Sequence, residues 1–313
     1  MSILITGGGG FLGIRLAQGL VERGNKVILG DISRFEIPDD LRGRVIQVPC
    51  DVSSAISFFE AVRSHGVEGI LHLAVAIRTI AELNPITAYR ANIDGTYNLL
   101  EVARIAQLKK VVFVSSHSVF PPGTQAVETD TRPLQYANTY GIAKIFGEQM
   151  GRYYHRRYGL DFRSVRFPAI NGPGRPFIGG TSFVSKLFRE IAKTGRFVIP
   201  TKETTSFHNL YVKDAVACLA GLYGADADKI KTRIYNISGI PTMMKDLVAV
   251  IHRHLPATQF DYQPDEELVR EFESWPKTVD DSPAREEWGW HITYNLNAWV
   301  KEFLAAEGAV LSS

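Results

Sequence analysis

Four consecutive glycines, Gly7 to Gly10, followed by Phe11-Leu12-Gly13, end the short apolar run Ile3-Leu4-Ile5-Thr6. The string fits two registers, Gly7-x-x-Gly10-x-x-Gly13 and Gly8-x-Gly10-x-x-Gly13. In both, a strand turns tightly into a helix, and missing side chains let the backbone approach a pyrophosphate at the helix N-terminus. The motif is informative only between a strand and a helix. Here it has both, because residues 11–22 read as an amphipathic helix.

The rest of the first half keeps to that plan. Short Val/Ile/Leu-rich runs at 3–6, 26–29, 44–48, 69–73 and 110–115 predict buried strands. Helical patterns at 11–22, 53–64, 85–106 and 139–158 alternate with them, and 161–167 predicts a sixth strand. Strand–helix alternation implies a parallel sheet covered on both faces. After Pro168 the texture changes. Residues 171–181 are a Gly/Pro-rich loop. A helix at 182–194, a strand near 197–199, a helix near 212–222, a strand at 233–237 and two or three further helices follow. The expected architecture is α/β: a doubly wound, Rossmann-type domain at 1–167, with 207–238 returning to it. Residues 168–206 and 239–313 would form a smaller C-terminal substrate lobe.

Composition narrows the classes. With 45% apolar and 22% charged residues among 313, the chain has globular composition. Its net charge of +2 argues against nucleic-acid binding and carries no polybasic membrane signal. Two cysteines, Cys50 and Cys218, exclude a disulfide framework and fit a reducing compartment. No apolar run approaches the length of a membrane span, and no signal peptide is visible, so a cytoplasmic protein is expected.

Asp31 ends the second strand, 18 residues past Gly13. The expected spacing is about 20 for a carboxylate that grips a ribose 2′-hydroxyl. It would repel a 2′-phosphate, which favours NAD over NADP, although Arg34 nearby is a counter-signal. Asp51, after the third strand, either accepts from the adenine amino group or caps the next helix.

Tyr140 and Lys144 lie four residues apart and share a helix face. Their helix follows the fifth strand, which ends at Ser115-Ser116. In an open parallel sheet the crevice lies at the strands' C-terminal ends, so Ser116, Tyr140 and the nicotinamide would meet there. Oxidising a secondary alcohol needs a base, and a free phenol has a pKa near 10. A cation about 6 Å away at an effective dielectric near 20 stabilises phenolate by roughly 3 kcal/mol, or about 2 pKa units. Ser116 would orient the substrate oxygen.

With these residues in place, the chain resembles an extended short-chain dehydrogenase/reductase, in the NAD-dependent epimerase/dehydratase family. The matching strings are Thr6–Gly13, Leu71-His72-Leu73-Ala74, Ser115–Phe120, Tyr140–Lys144, Arg166-Phe167-Pro168 and Trp288-Gly289-Trp290. The resemblance implies that Ser116, Tyr140 and Lys144 are catalytic and that Asn92 supports the Lys144 environment. It implies a cofactor site built from Gly7, Gly10, Phe11, Leu12 and Gly13, then Asp31, Asp51 and Val52. Leu73, Ala74, Asn92, Tyr140, Lys144 and Phe167 would complete it.

The C-terminal half resembles the short-chain L-threonine 3-dehydrogenase branch, through Ser274-Trp275-Pro276-Lys277, Asp280-Asp281-Ser282 and Ala284–Trp290. Two departures stand out. Arg78 occupies a place where that branch has serine, and Gly180-Thr181-Ser182 stands where it has Thr-Thr-Asp. A carboxylate is the natural partner of a substrate ammonium, and the chain is expected to lack it. Arg78 suits a carboxylate or phosphate; it also has readings as a contact to the cofactor pyrophosphate or as a solvated loop residue.

A hydroxy acid or sugar acid fits these changes, and Arg78, Ser116, Thr181 and His208 are the candidate substrate contacts. The competing reading is a sugar or nucleotide-sugar epimerase or dehydratase. Such an epimerase would keep an arginine where Phe207 stands. No metal-ligand spacing and no Gly-x-Ser-x-Gly elbow occurs. The helices at 85–106 and 139–158 resemble those that pair two subunits in extended members, through Tyr97, Leu100 and Ala103 and through Ile145, Met150 and Tyr153. A homodimer is expected.

Overall fold

The computed structural model describes residues 1–124, 126–127 and 138–311. Seven strands form the central sheet: β1 (Ser2–Thr6), β2 (Lys26–Asp31), β3 (Val45–Pro49), β4 (Gly69–His72), β5 (Lys110–Ser116), β6 (Phe162–Phe167) and β7 (Ile234–Asn236). Their order is β7-β6-β5-β4-β1-β2-β3, and every neighbouring pair is parallel. The winding direction reverses between β1 and β4, where an open α/β sheet leaves its ligand crevice.

Alternation along β1 explains why both faces are covered. Ile3 and Ile5 point into one core with Leu16 and Leu20 of α1 (Phe11–Glu22) and Leu219 and Leu222 of a late helix, Val212–Gly224. Leu4 points into the opposite core, with Phe58 of α2 (Ala55–Ser64), Leu99 and Leu100 of α3 (Gly95–Ile105) and Tyr154 of α4 (Thr139–Tyr158). Period-two strands between two helical layers require apolar residues at nearly every position.

A third core lies beyond the sheet. Phe188 of the helix Phe183–Thr194 stacks on Phe303 of the helix Leu296–Ala306 at 4.2 Å, beside a fully buried Trp299. Ser206–Tyr211 does not join the central sheet. It pairs in parallel with Ala169–Asn171 and antiparallel with Ile240–Met243. Within 207–238, only β7 reaches the seven-stranded sheet.

The segment expected as one helix at 85–106 is interrupted. Pro85–Tyr89 leads into a π-helical turn, Arg90–Asp94, before α3 begins, and a further helix at Arg78–Leu83 precedes it. The helix Ser282–Trp288 has Asp281 at its N-cap and Pro283 in its first turn.

Under the sheet lies a buried ion pair. Arg166 of β6 donates from Nε and Nη2 to Glu148 of α4 at 2.8 and 2.6 Å, and the two side chains are 1% and 0% exposed. Ser115 Oγ donates to the same carboxylate at 2.5 Å. Among the described residues, no helix is long and apolar enough to cross a membrane.

Candidate active site

A cavity of about 890 Å³ opens at the C-terminal ends of the sheet strands. The glycine loop forms one wall. Gly10 caps α1 without a side chain, so the helix's first amides face the cavity region. Gly7 has φ +67°, and a Cβ there would lie 2.9 Å from the Ala74 amide nitrogen. At Gly13 a Cβ would meet the Gly7 carbonyl oxygen at 2.5 Å. Only glycine fits these two positions. The cradle this leaves, with backbone amides and no side chains, suits a pyrophosphate.

Phe11 and Leu12 line the same wall. Asp31 stands at the end of β2 and lines the cavity; its Oδ2 accepts from the Gly9 amide at 3.1 Å. Arg34 is exposed and does not line it. Asp31→Ala is expected to narrow the preference for NADH over NADPH by about tenfold, equivalent to about 1.4 kcal/mol of relieved repulsion. Titrating nicotinamide fluorescence with both nucleotides reads this directly.

Asp51 and Val52 line the cavity beyond β3. Asp51 Oδ1 accepts from the Ser53 amide and hydroxyl at 2.9 and 2.7 Å, while Ser54 caps α2. Leu73 and Ala74 follow β4 and also line the cavity, as does Phe167. Asn92 sits behind it, in the π-helical turn. Its Oδ1 accepts from the Ala76 amide at 2.7 Å, and its Nδ2 donates to the Ala76 carbonyl at 2.8 Å. Asn92 thus pins the loop after β4.

Ser116, Tyr140 and Lys144 come together on the cavity wall. Asn138 caps α4 by accepting from the Gly141 amide at 2.9 Å, which starts the helix just ahead of Tyr140. Lys144, one turn on, lies 5.5 Å over the Tyr140 ring and donates to the Val114 carbonyl at 2.6 Å. Ser116 Oγ accepts from the Ser118 amide at 3.2 Å.

The electrostatics differ from the simple expectation that the ammonium lowers the phenol's pKa. Burial pushes Tyr140 up to about 12, against the opposing effects of the Ser116 hydroxyl and the Arg175 charge. Burial also pushes Lys144 down to about 7, although Glu148 opposes it. In so enclosed a place, loss of hydration outweighs the favourable charge.

A consequence for stability follows from the sign. Below pH 7 Lys144 is protonated in the folded and unfolded chains alike, and the folded protein bears the full cost of burying the charge. The cost shrinks as pH rises from about 7 towards the unfolded value of 10.5, by about 1.4 kcal/mol per unit. Lys144→Met is therefore expected to unfold at a higher temperature than wild type at pH 6, with the gap narrowing towards pH 10. Calorimetry across that range checks it.

The candidate substrate residues fare differently. Thr181 lines the cavity. His208 does not; its two ring nitrogens meet the Ser238 and Lys277 carbonyls at 2.6 and 3.0 Å. His117 lines the cavity but is buried, with Nε2 at 3.0 Å from the Ile237 carbonyl, and burial holds its pKa down to about 3. Arg78 lines the cavity with its Nη2 at 2.6 Å from Glu271 Oε2.

Glu271 was not visible from the sequence as a site residue. It supplies a carboxylate on the cavity wall, which corrects the expectation that the chain lacks one. Arg175 was also missed: it lines the cavity and bonds Thr181. The only advance signal was a lone arginine in a Gly/Pro-rich loop. No group of three or more metal-ligating side chains occurs among the described residues.

Comparison with known proteins gives the family of the chain. Residues 3–238 match the model of the NAD dependent epimerase/dehydratase family. The mitochondrial L-threonine 3-dehydrogenase of Bos taurus is 33% identical over 311 residues, covering 98% of this chain and 83% of its own. The structure of L-threonine dehydrogenase from Phytophthora infestans superimposes with a TM-score of 0.90 at 31% identity, covering 97% of this chain and 98% of its own. The holo form of the Cupriavidus necator L-threonine dehydrogenase gives 0.90 at 31% identity, with 97% and 99% covered. The chain belongs to the NAD-dependent epimerase/dehydratase family and is an NAD-dependent oxidoreductase of the extended short-chain type.

Proposed function

We propose that the protein oxidises the secondary alcohol of a small polar acid, with Tyr140 as base, Ser116 orienting the alcohol oxygen and Lys144 completing the set. The observation that carries this is the convergence of Ser116, Tyr140 and Lys144 on the cavity that the glycine loop also lines. NAD, when bound, would supply the hydride acceptor and a positive ring. Tyr140 takes the hydroxyl proton, and Ser116 holds the same oxygen while its charge develops. Residues 168–206 and 239–313 serve as the substrate lobe, with 1–167 binding the cofactor.

L-Threonine stays among the candidate substrates, since Glu271 puts a carboxylate on the cavity wall, where it pairs with Arg78. An epimerase reading is weakened at Phe207, which is buried and packs on Phe272 at 5.0 Å instead of reaching the cavity. The deciding experiment follows NADH absorbance with hydroxy acids, sugar acids, L-threonine and nucleotide sugars. Net NADH from an acid supports oxidation. Inversion of a sugar without net NADH overturns it.

The same reading includes a homodimer. Leu100 and Ala103 are buried in the subunit's own core, but Tyr97, Ile142 and Tyr153 remain 46, 41 and 44% exposed on α3 and α4. Light scattering at micromolar concentration is expected to give twice the chain mass; a monomer defeats the assignment.

A further inference from the structure

Three arginines line the cavity, Arg78, Arg90 and Arg175; Arg90 is exposed, and the surroundings of the other two differ. Arg78 is already neutralised, because Glu271 reaches it from the helix Glu266–Glu273 at 2.6 Å. Arg175 has no carboxylate partner among the described residues. Its Nη1 donates to the Ile170 carbonyl at 2.7 Å and to Asn171 Oδ1 at 2.8 Å, and its Nη2 donates to Thr181 Oγ1 at 3.3 Å. All three acceptors are neutral. A partly buried cation held by neutral groups alone has an unmet demand for an anion.

The group is also held in place. Asn171, its main anchor, is fully buried, donates to Asn209 Oδ1 at 2.6 Å and accepts from Ser185 Oγ at 3.0 Å. Arg189 Nη2 donates to the Arg175 carbonyl at 2.7 Å, fixing the backbone. The fork is thus preorganised on one edge, and a planar donor fork matches a carboxylate on the other. Arg175 also stands close enough to Tyr140 for its charge to act on the phenol. One cavity wall thus offers a proton acceptor at Tyr140 and an anion partner at Arg175.

We propose that Arg175, with the Thr181 hydroxyl beside it, is the specificity-determining residue that holds the carboxylate of a short hydroxy acid. Arg78 instead ties the segment after β4 to the helix Glu266–Glu273. The inference deepens the oxidation reading and rests on it for the other end of the substrate.

The test measures binding and turnover separately. Calorimetry on the NADH-saturated protein gives Kd for 3-hydroxybutyrate, L-threonine and 1,3-butanediol; the diol matches 3-hydroxybutyrate with its carboxylate replaced. Wild type is expected to prefer at least one of the two acids over the diol. Arg175→Gln is expected to weaken that acid by about tenfold or more while leaving diol and NADH binding unchanged, whereas Arg78→Gln keeps the acid preference. A purely structural role would weaken acid and diol alike.

If Arg175→Gln fails to fold, Arg175→Lys decides: the charge stays and the fork is lost, so the acid preference should fall with diol binding intact. The proposal is overturned by an unchanged preference in these variants, by its loss in Arg78→Gln instead, or by a wild type indifferent to the carboxylate. Acid binding that depends on Arg175 without any NADH formation would sink the oxidation reading and leave the anion site standing.

Discussion

Tyr140→Phe is expected to lower kcat for alcohol oxidation by about 10²- to 10⁴-fold, the usual range for removing a positioned proton acceptor. The ring remains against the cavity wall, so NADH binding should be nearly unchanged. The pH dependence gives a second signature. With Tyr140 held up to about 12 by burial, the free enzyme is a protonated phenol at neutrality. For oxidation, kcat/KM, which reports the free enzyme, should climb steadily from pH 7 to 10, and the residual activity of Tyr140→Phe should lack that climb. Stopped-flow single turnovers separate loss of the chemical step from slower product release. Wild-type rates in the variant would mean that another group takes the proton.

Glu148→Ala should be the most destabilising single change at this end of the sheet. It strands the Arg166 guanidinium, which is 1% exposed and is left with Asn236 Oδ1, at 3.3 Å from Nη1, and the Phe120 ring, 5.2 Å away. Removing one partner of a buried pair costs about 3–5 kcal/mol, because the other charge stays behind. Urea unfolding of the variant should show this as a lower midpoint. The change also reaches the site. Glu148 lies one turn beyond Lys144 and favours its charged form, so its loss drives Lys144 further towards neutrality. Ser115, the neighbour of Ser116, loses its acceptor in the same step.

Much of this site was legible because its parts are local. The glycine loop, Asp31 and the Tyr140–Lys144 spacing each declare themselves within a few residues of a strand end. The strands of the central sheet were legible for the same reason, since burial on both faces writes itself as short continuous apolar runs. What was hidden depends on distance or enclosure. Glu271 meets Arg78 across 193 positions, and no local pattern marks it. The direction of the Tyr140 shift depends on how tightly the folded cavity excludes water. Ser206–Tyr211 joins a small sheet through contacts with Ala169–Asn171 and Ile240–Met243, which only the fold brings alongside. His208 read as a crevice residue, yet its position between two carbonyls makes it a cross-brace.

The late arrival of β7 bears on how the chain is made. Arg163 and Arg166 on β6 are 0 and 1% exposed, and their acceptors include the Leu222 and Ala225 carbonyls and Asn236. While the ribosome is still short of residue 236, β6 is an open sheet edge, and Arg166, already paired with Glu148, lacks its Asn236 contact. Such an edge recruits other strands when it stays open. A nascent or prematurely terminated chain ending before β7 is thus a candidate for chaperone capture, even though its nucleotide-binding loop emerged first.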